Sequence, residues 1–146
     1  MTDAFAVRLL GPEDAEVLEH VAQGVFDETV DRKLTLEFLS DPRHHLAVAI
    51  ADGEVVGFAS GVHYVHPDKP AQLFVNEVGV APPFQRRGIG RRLLAALLER
   101  GAEIGCSEAW VGTDVDNRAA RALYAAAGGV EDDKPFVLVT FPLRGR

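Results

Sequence analysis

A mixed α/β (α+β) domain is the fold class this sequence predicts, on three observations. Short apolar runs with strand-like alternation are interleaved with segments of helical periodicity. Strong turn chemistry separates them, most clearly Asp52-Gly53 between two such runs. The chain has 146 residues, 47% of them apolar, which is enough for one core without staples. No repeat, linker or low-complexity tract interrupts it, so 1–146 reads as a single domain.

The elements follow in order. "FAVRLL" (5–10) alternates and predicts a first strand. "GPEDAEVLEHVAQGVF" (11–26) predicts a helix, with Pro12 near its start and acids in its first turn. "LTLEFLS" (34–40) predicts a second, short helix, stopped at Asp41-Pro42. "HLAVAI" (45–50) and "EVVGFASGVHYV" (54–65) predict a hairpin through Asp52-Gly53. "HPDKPAQ" (66–72) carries two prolines and predicts a loop, and "LFVNEVGV" (73–80) predicts the next strand. Ile89, Leu93, Leu97 and Ile104, with Leu94 and Leu98 beside them, form the stripe of a helix over 88–104. "EAWVGT" (108–113) predicts a short strand, with Trp110 in the core. "NRAARALYAAAG" (117–128) predicts a helix starting at Asp116/Asn117 and stopping at Gly128. "KPFVLVTFPL" (134–143) predicts a final strand. The sum is βααβββαβαβ, with six strands and four helices.

Net charge is −7, unevenly spread. The first 77 residues hold 5 bases against 14 acids, whereas residues 86–121 hold 7 bases against 5 acids. The pattern predicts one anion-binding region on an otherwise acidic protein, whose acidic half attracts cations. Nucleic-acid binding, which wants a basic face and a high pI, is excluded. No apolar run approaches the roughly 20 residues that span a bilayer, and the first residues turn acidic without a signal-peptide layout. The lone Cys106 forms no internal disulfide, and no Cys/His cluster has zinc spacing, so no metal is expected. A reducing cytoplasm is the simplest setting.

The anion-binding candidate is "QRRGIG", residues 85–90, between a strand and the clearest helix. It is not a phosphate loop of the G-x-x-x-x-G-K-[ST] kind, because Arg91 and Arg92 follow the last glycine. It is not a dinucleotide fingerprint, because position 93 is Leu. "DVDNR" (114–118) lacks the turn glycine and bidentate acid of a calcium loop. Gly88 and Gly90 allow close backbone approach. The helix start gathers unpaired amides and the positive dipole end, and Arg86 and Arg87 add charge. These features suit a pyrophosphate; alone, they equally suit an exposed basic turn that caps a helix.

The context decides. "VNEVGVAPPFQRRGIGRRLL" resembles the strand, Q/R-x-x-G-x-G/A and helix signature of the GNAT superfamily of acyl-CoA-dependent N-acetyltransferases. "DNRAARALYAAAG", an Asn followed by Ala and Tyr on one helix, resembles its second signature, in the right order. The match in element order covers most of the chain. The resemblance implies a GNAT fold, a mixed sheet of about six strands splayed at the acetyl-CoA strand and flanked by about four helices. It implies acetyl-CoA as co-substrate, with the backbone of Gln85, Arg86, Arg87, Gly88, Ile89, Gly90 and Arg91 around the pyrophosphate. The pantetheine arm would run beside Val78, Gly79 and Val80, after a bulge, with Asn117, Ala120 and Tyr124 along it from the last helix.

The chemistry needs a base for the incoming ammonium, an acid for the departing thiolate and a donor to the carbonyl. By the resemblance, Tyr124 is the acid and Glu77 the base, and the Val78 or Gly79 amide polarises the carbonyl. Attack is direct, so Cys106 is a small core residue, not a nucleophile. His63 and His66, flanking Tyr64, are weaker candidates for the acceptor site.

A finer resemblance is to aminoglycoside 3-N-acetyltransferases of the gentamicin type, carried by residues 26–57 and 63–80 and the single terminal strand. It implies an antibiotic-modifying enzyme with a cationic amine acceptor, gathered by Asp27, Glu28 and Asp31 and by Asp114 and Asp116, although capping is the readier role for Asp116. Two departures stand out: Glu77 replaces the subfamily's Asp, and Gly129 stands where an aromatic is usual. The alternatives are acetylation of a protein N-terminus, a lysine or a small polyamine, and a non-catalytic CoA-binding sensor. A homodimer is a further expectation, with the terminal strand added to a neighbour's sheet.

Overall fold

A computed structural model describes residues 4–144. The single-domain expectation for residues 1–3 and 145–146 lies outside the described residues. Five strands form one sheet in sequence order: β1 (Ala6–Leu9), β2 (His44–Ala51), β3 (Glu54–His66), β4 (Lys69–Val80) and β5 (Glu108–Trp110). The first four run antiparallel, and β5 lies parallel to β4. Three α-helices accompany them: α1 (Arg32–Ser40), α2 (Ile89–Glu103) and α3 (Arg118–Ala126).

The Asp52-Gly53 turn forms as expected, with both residues at positive φ, 51° and 77°. The expected loop 66–72 is largely strand. β3 and β4 extend into a long hairpin in which His66 pairs with Lys69.

Each sheet face has its own core. On one face Ala47, Ala49, Ala59, Leu73 and Val75 pack under Ile89, Leu93 and Leu97 of α2. Glycines let helix and sheet approach closely: a Cβ on Gly57 would stand 3.1 Å from the Leu93 side chain, and one on Gly101 3.0 Å from Leu73. On the other face Leu46, Val48, Val55 and Phe58 pack against Leu18, Val25, Phe26 and Leu39.

Three expectations are corrected. The helix over 11–26 is only a 3-10 turn, Ala15–Glu19. Beyond it the chain is held by tertiary contacts: Val21 bridges Val55, Phe26 stacks on Phe58 at 4.2 Å, and Gly24 turns at φ 87° against Pro82. Trp110 is 46% exposed rather than core. The final strand over 134–143 does not form; its apolar side chains are exposed. Five strands and three α-helices therefore replace six and four.

Candidate functional site: a splayed strand beside a helix N-terminus

β5 pairs with β4 only from Gln72 to Phe74 and leaves it thereafter. The second half of β4 consequently has an open edge. The Ala81 amide donates to the Val56 carbonyl at 2.8 Å. By antiparallel alternation, Gly79 and Glu77 also turn their backbone groups to β3, while Val78 and Val80 turn theirs to the opening. The Val80 carbonyl accepts from the Gln85 side chain at 3.0 Å. The Val78 backbone therefore faces the opening, whereas the Gly79 amide belongs to the ladder. Gly79 is glycine for a packing reason: a Cβ there would lie 2.8 Å from the Val25 carbonyl and 2.9 Å from the Phe58 ring.

A bulge decides where Glu77 points. Gly61 pairs with Val75 but Ser60 pairs with Glu77, so Asn76 is the extra residue. Counting alternately from Leu73 and Val75 would turn Glu77 toward α2. The inserted residue shifts the phase, so Val78 and Val80 pack on the α2 side and Glu77 faces the opposite way. There its carboxyl lies beside that of Asp27. Burial, and then the Asp27 charge, push the Glu77 carboxyl above its ordinary value of 4.5.

Past β4, Arg86 (φ 66°) and Gly88 (φ 80°) adopt left-handed conformations that turn the chain into α2. Among the described residues, the amides of Arg86, Gly88, Ile89, Gly90 and Arg91 meet no backbone acceptor; the ladder begins with Arg92 donating to Gly88. Unpaired amides at a helix N-terminus, with exposed arginines around them, are a donor set suited to a diphosphate. Arg87 also lies over the Phe84 ring at 5.2 Å.

On α3, Asn117 rather than Asp116 is the cap: its side chain accepts from the Ala120 amide at 3.0 Å. Tyr124 packs at the edge of the α2-side core, and burial raises its phenol above its ordinary value of 10.0. Among the described residues, its hydroxyl makes no hydrogen bond.

The face that Glu77 joins carries a cleft of about 720 Å³ between residues 15 and 35. Glu19, Asp27 and Glu28 line it, and Arg32 answers Glu19 at 2.6 Å. Asp31 is occupied otherwise, capping α1 through the Leu34 amide at 2.8 Å. Asp114 and Asp116 lie exposed in the loop before α3 and are not gathered into this cleft.

Sequence reading missed an aromatic cluster on the same face. Trp110 packs on Phe74, centroids 4.5 Å apart, and its indole N–H donates to the Tyr64 hydroxyl at 3.1 Å. Tyr64 in turn donates to Gln72 at 2.8 Å, which donates to Glu108 at 3.3 Å. The available signal was the alternation of Gln72 and Phe74 against Leu73. The neighbouring histidines do not join this cluster. His63 points to the α2 side, where its ring lies 2.8 Å from His45, and His66 pairs with Asp68 on the hairpin.

A strand that parts from its neighbour after a bulge, beside a helix whose first amides are unpaired, is the arrangement of an acyl-CoA-dependent acetyltransferase. The chain belongs to that class: residues 14–128 match the Acetyltransferase (GNAT) family. It is 38% identical over 92 residues to the N-alpha-acetyltransferase RimI of Mycobacterium tuberculosis, a match that takes in 62% of this chain and 54% of that protein. It is 32% identical over 96 residues to the aminoglycoside N(6')-acetyltransferase type 1 of Salmonella typhimurium, covering 62% and 66%. The matches thus span between half and two thirds of these relatives. In fold it is similar to AAC(6')-Iy in complex with a bisubstrate analogue, CoA-S-monomethyl-acetylneamine, at TM-score 0.76, 23% identity and coverage of 95% and 99%.

Proposed function

We propose that the protein transfers acetyl from acetyl-CoA directly to a primary amine of a cationic acceptor. The observation that carries this reading is the bulge at Asn76, which turns Glu77 to Asp27 and the acidic cleft while leaving the Val78 backbone facing the splay. Acetyl-CoA, when bound, supplies a thioester carbonyl. The amides of Arg86 and of Gly88, Ile89, Gly90 and Arg91, with Gln85 bracing the turn and Arg87 beside it, would hold its diphosphate, and Asn117, Ala120 and Tyr124 would flank its arm.

The Glu77 carboxylate takes the proton of the incoming ammonium, directly or through water. The Val78 amide donates to the carbonyl oxygen. The Tyr124 hydroxyl, neutral well above pH 7, gives its proton to the departing sulfur. Asp27 and Glu28 attract the acceptor's remaining positive charges, and the Trp110 and Phe74 rings offer apolar faces to its body.

An aminoglycoside is the acceptor this combination suits best, which would make the protein an antibiotic-modifying enzyme. The sequence resemblance favours its 3-amine. A peptide N-terminus is the second reading, favoured by the likeness to RimI. Thiol release from acetyl-CoA over gentamicin- and kanamycin-type aminoglycosides, spermidine and free peptide N-termini separates them, with the acetylated position read by NMR. Turnover on aminoglycosides with 3-N-acetyl product supports the proposal, and 6′-acetyl product corrects its regiochemistry. Turnover on peptides alone replaces the acceptor. Binding of acetyl-CoA with no transfer to any amine would favour the sensor.

A further inference from the structure

β3 is apolar across the centre of the sheet, with one exception. From Val55 to Val62 it reads VVGFASGV, and Ser60 is the sole polar side chain. Ala59 and Gly61 face α2, so Ser60 turns to the opposite face, as Phe58 does. It is 8% exposed. Among the described residues its hydroxyl makes no hydrogen bond, and the enclosed side-chain atom without a partner there is His44 Nδ1, not this oxygen. The hydroxyl therefore borders open space. A buried hydroxyl normally finds a partner, because leaving it unpaired costs stability.

What it borders is set by register. Across one strand pair Ser60 meets Leu46, and across the other Glu77. Directly paired side chains on one face begin about 5 Å apart at Cβ, within reach of a hydroxyl and a glutamate carboxyl. The Asn76 bulge makes this pairing: without the extra residue, Ser60 would stand opposite Asn76. Other polar groups on this face are engaged elsewhere or carry like charge. Asp27, from the loop before α1, lies beside the Glu77 carboxyl, with Glu28 next to it in the cleft wall. Tyr64 and Glu108 are joined through Gln72 farther along the strands, and His44 of β2 stacks on Phe38. Ser60 is the donor directly across from Glu77.

We infer that Ser60 is a positioning residue for the base: its hydroxyl donates to one oxygen of the Glu77 carboxylate and leaves the other for the acceptor's ammonium. The inference rests on Glu77 being the base of the proposed transfer. Two carboxylates side by side resist joint ionisation, so Glu77 turns from Asp27 as it loses its proton. Ser60 receives it across the strand pair. A bond donated to the charged form favours that form, against burial and the Asp27 charge. When the acceptor is deprotonated, its N–H bond breaks and the electron pair stays on nitrogen for attack. The proton ends on the free Glu77 oxygen, and Ser60 keeps its own.

Two readouts on Ser60→Ala test this: a carbon-13 NMR titration of the Glu77 carboxyl, which needs no acceptor, and the pH profile of kcat/KM. Losing the donor should move the titration and the acidic limb upward by about one pH unit, lowering kcat/KM about tenfold on the acidic side and leaving the plateau nearly unchanged. The Tm should hold or rise, because the oxygen removed has no partner in the folded chain. Ser60→Thr keeps the hydroxyl and should restore both curves. A Glu77 titration unmoved in Ser60→Ala overturns the inference, as does a limb that stays displaced in folded Ser60→Thr. A moved titration beside an unmoved limb, with the limb also surviving in Glu77→Gln, takes the base role from Glu77 and with it the part of Ser60 in the reaction.

Discussion

Glu77 has to be ionised to accept a proton, yet its surroundings hold the proton on. Burial and Asp27 both raise its titration above 4.5. The deprotonated form grows as pH rises, so kcat/KM should climb along an acidic limb displaced above the ordinary glutamate range. Asp27→Asn removes the like charge and should move that limb to lower pH. Glu77→Gln should lower kcat by about 10²-fold or more and abolish the limb. A profile of unchanged shape in Glu77→Gln would give the base to another group. Tyr124 is argued the same way. Removing its hydroxyl deletes a donor needed only as the thiolate leaves, so Tyr124→Phe should lower kcat by about 10²-fold and leave the acetyl-CoA KM nearly unchanged. Equal turnover in steady-state assays would remove Tyr124 from the mechanism.

The element proposed to hold the diphosphate is the start of α2, and at Gly88 the chain turns into it. Its φ of 80° disfavours any side chain, while a Cβ there would meet nothing within 4 Å. Gly88→Ala therefore tests backbone conformation alone. Strain of about 1 kcal/mol should misdirect the amides, raising the acetyl-CoA KM several-fold with a small fall in Tm. An unchanged KM would detach this turn from cofactor binding. Elements of this kind, governed by local rules, were legible beforehand: the Asp52-Gly53 turn, the α2 stripe and the glycine-bearing turn all follow from spacing and turn chemistry. The phase of β4 was not, because Asn76 looks like any strand residue and only its register against Ser60 and Gly61 makes it a bulge. The helix expected over 11–26 failed for a related reason. Its apolar residues satisfy helical spacing, but Val21 and Phe26 are claimed by Val55 and Phe58 across the sheet. The final strand was misread because its alternation and β-branched residues meet the composition of a strand, while no pairing forms over 134–143.

At the scale of the whole molecule, the two faces of the sheet respond to acid in different ways. On the α2 side His45 is 4% exposed and lies against His63. Burial first, then the neighbouring His63, Arg100 and His44, depress its pKa from 6.5 to about 4. Below pH 6.5 the unfolded chain therefore binds a proton that the folded chain refuses until about pH 4. Stability should be full above the first value, fall through the interval and level off below the second. A depression of this size corresponds to roughly 3 kcal/mol at its full extent. On the other face Glu77 acts in the opposite sense. Its raised pKa means the folded chain holds a proton the unfolded chain has released, so its contribution falls as pH rises through that window. The two windows overlap from about pH 4.5 upward, and there the His45 slope should be partly offset. His45→Gln keeps a donor toward His63 without a titrating ring. Urea midpoints measured from pH 7.5 to 4 should show a shallower acid loss in that variant, and Glu77→Gln should make the loss steeper. The same slope in all three proteins would place the acid sensitivity in neither face.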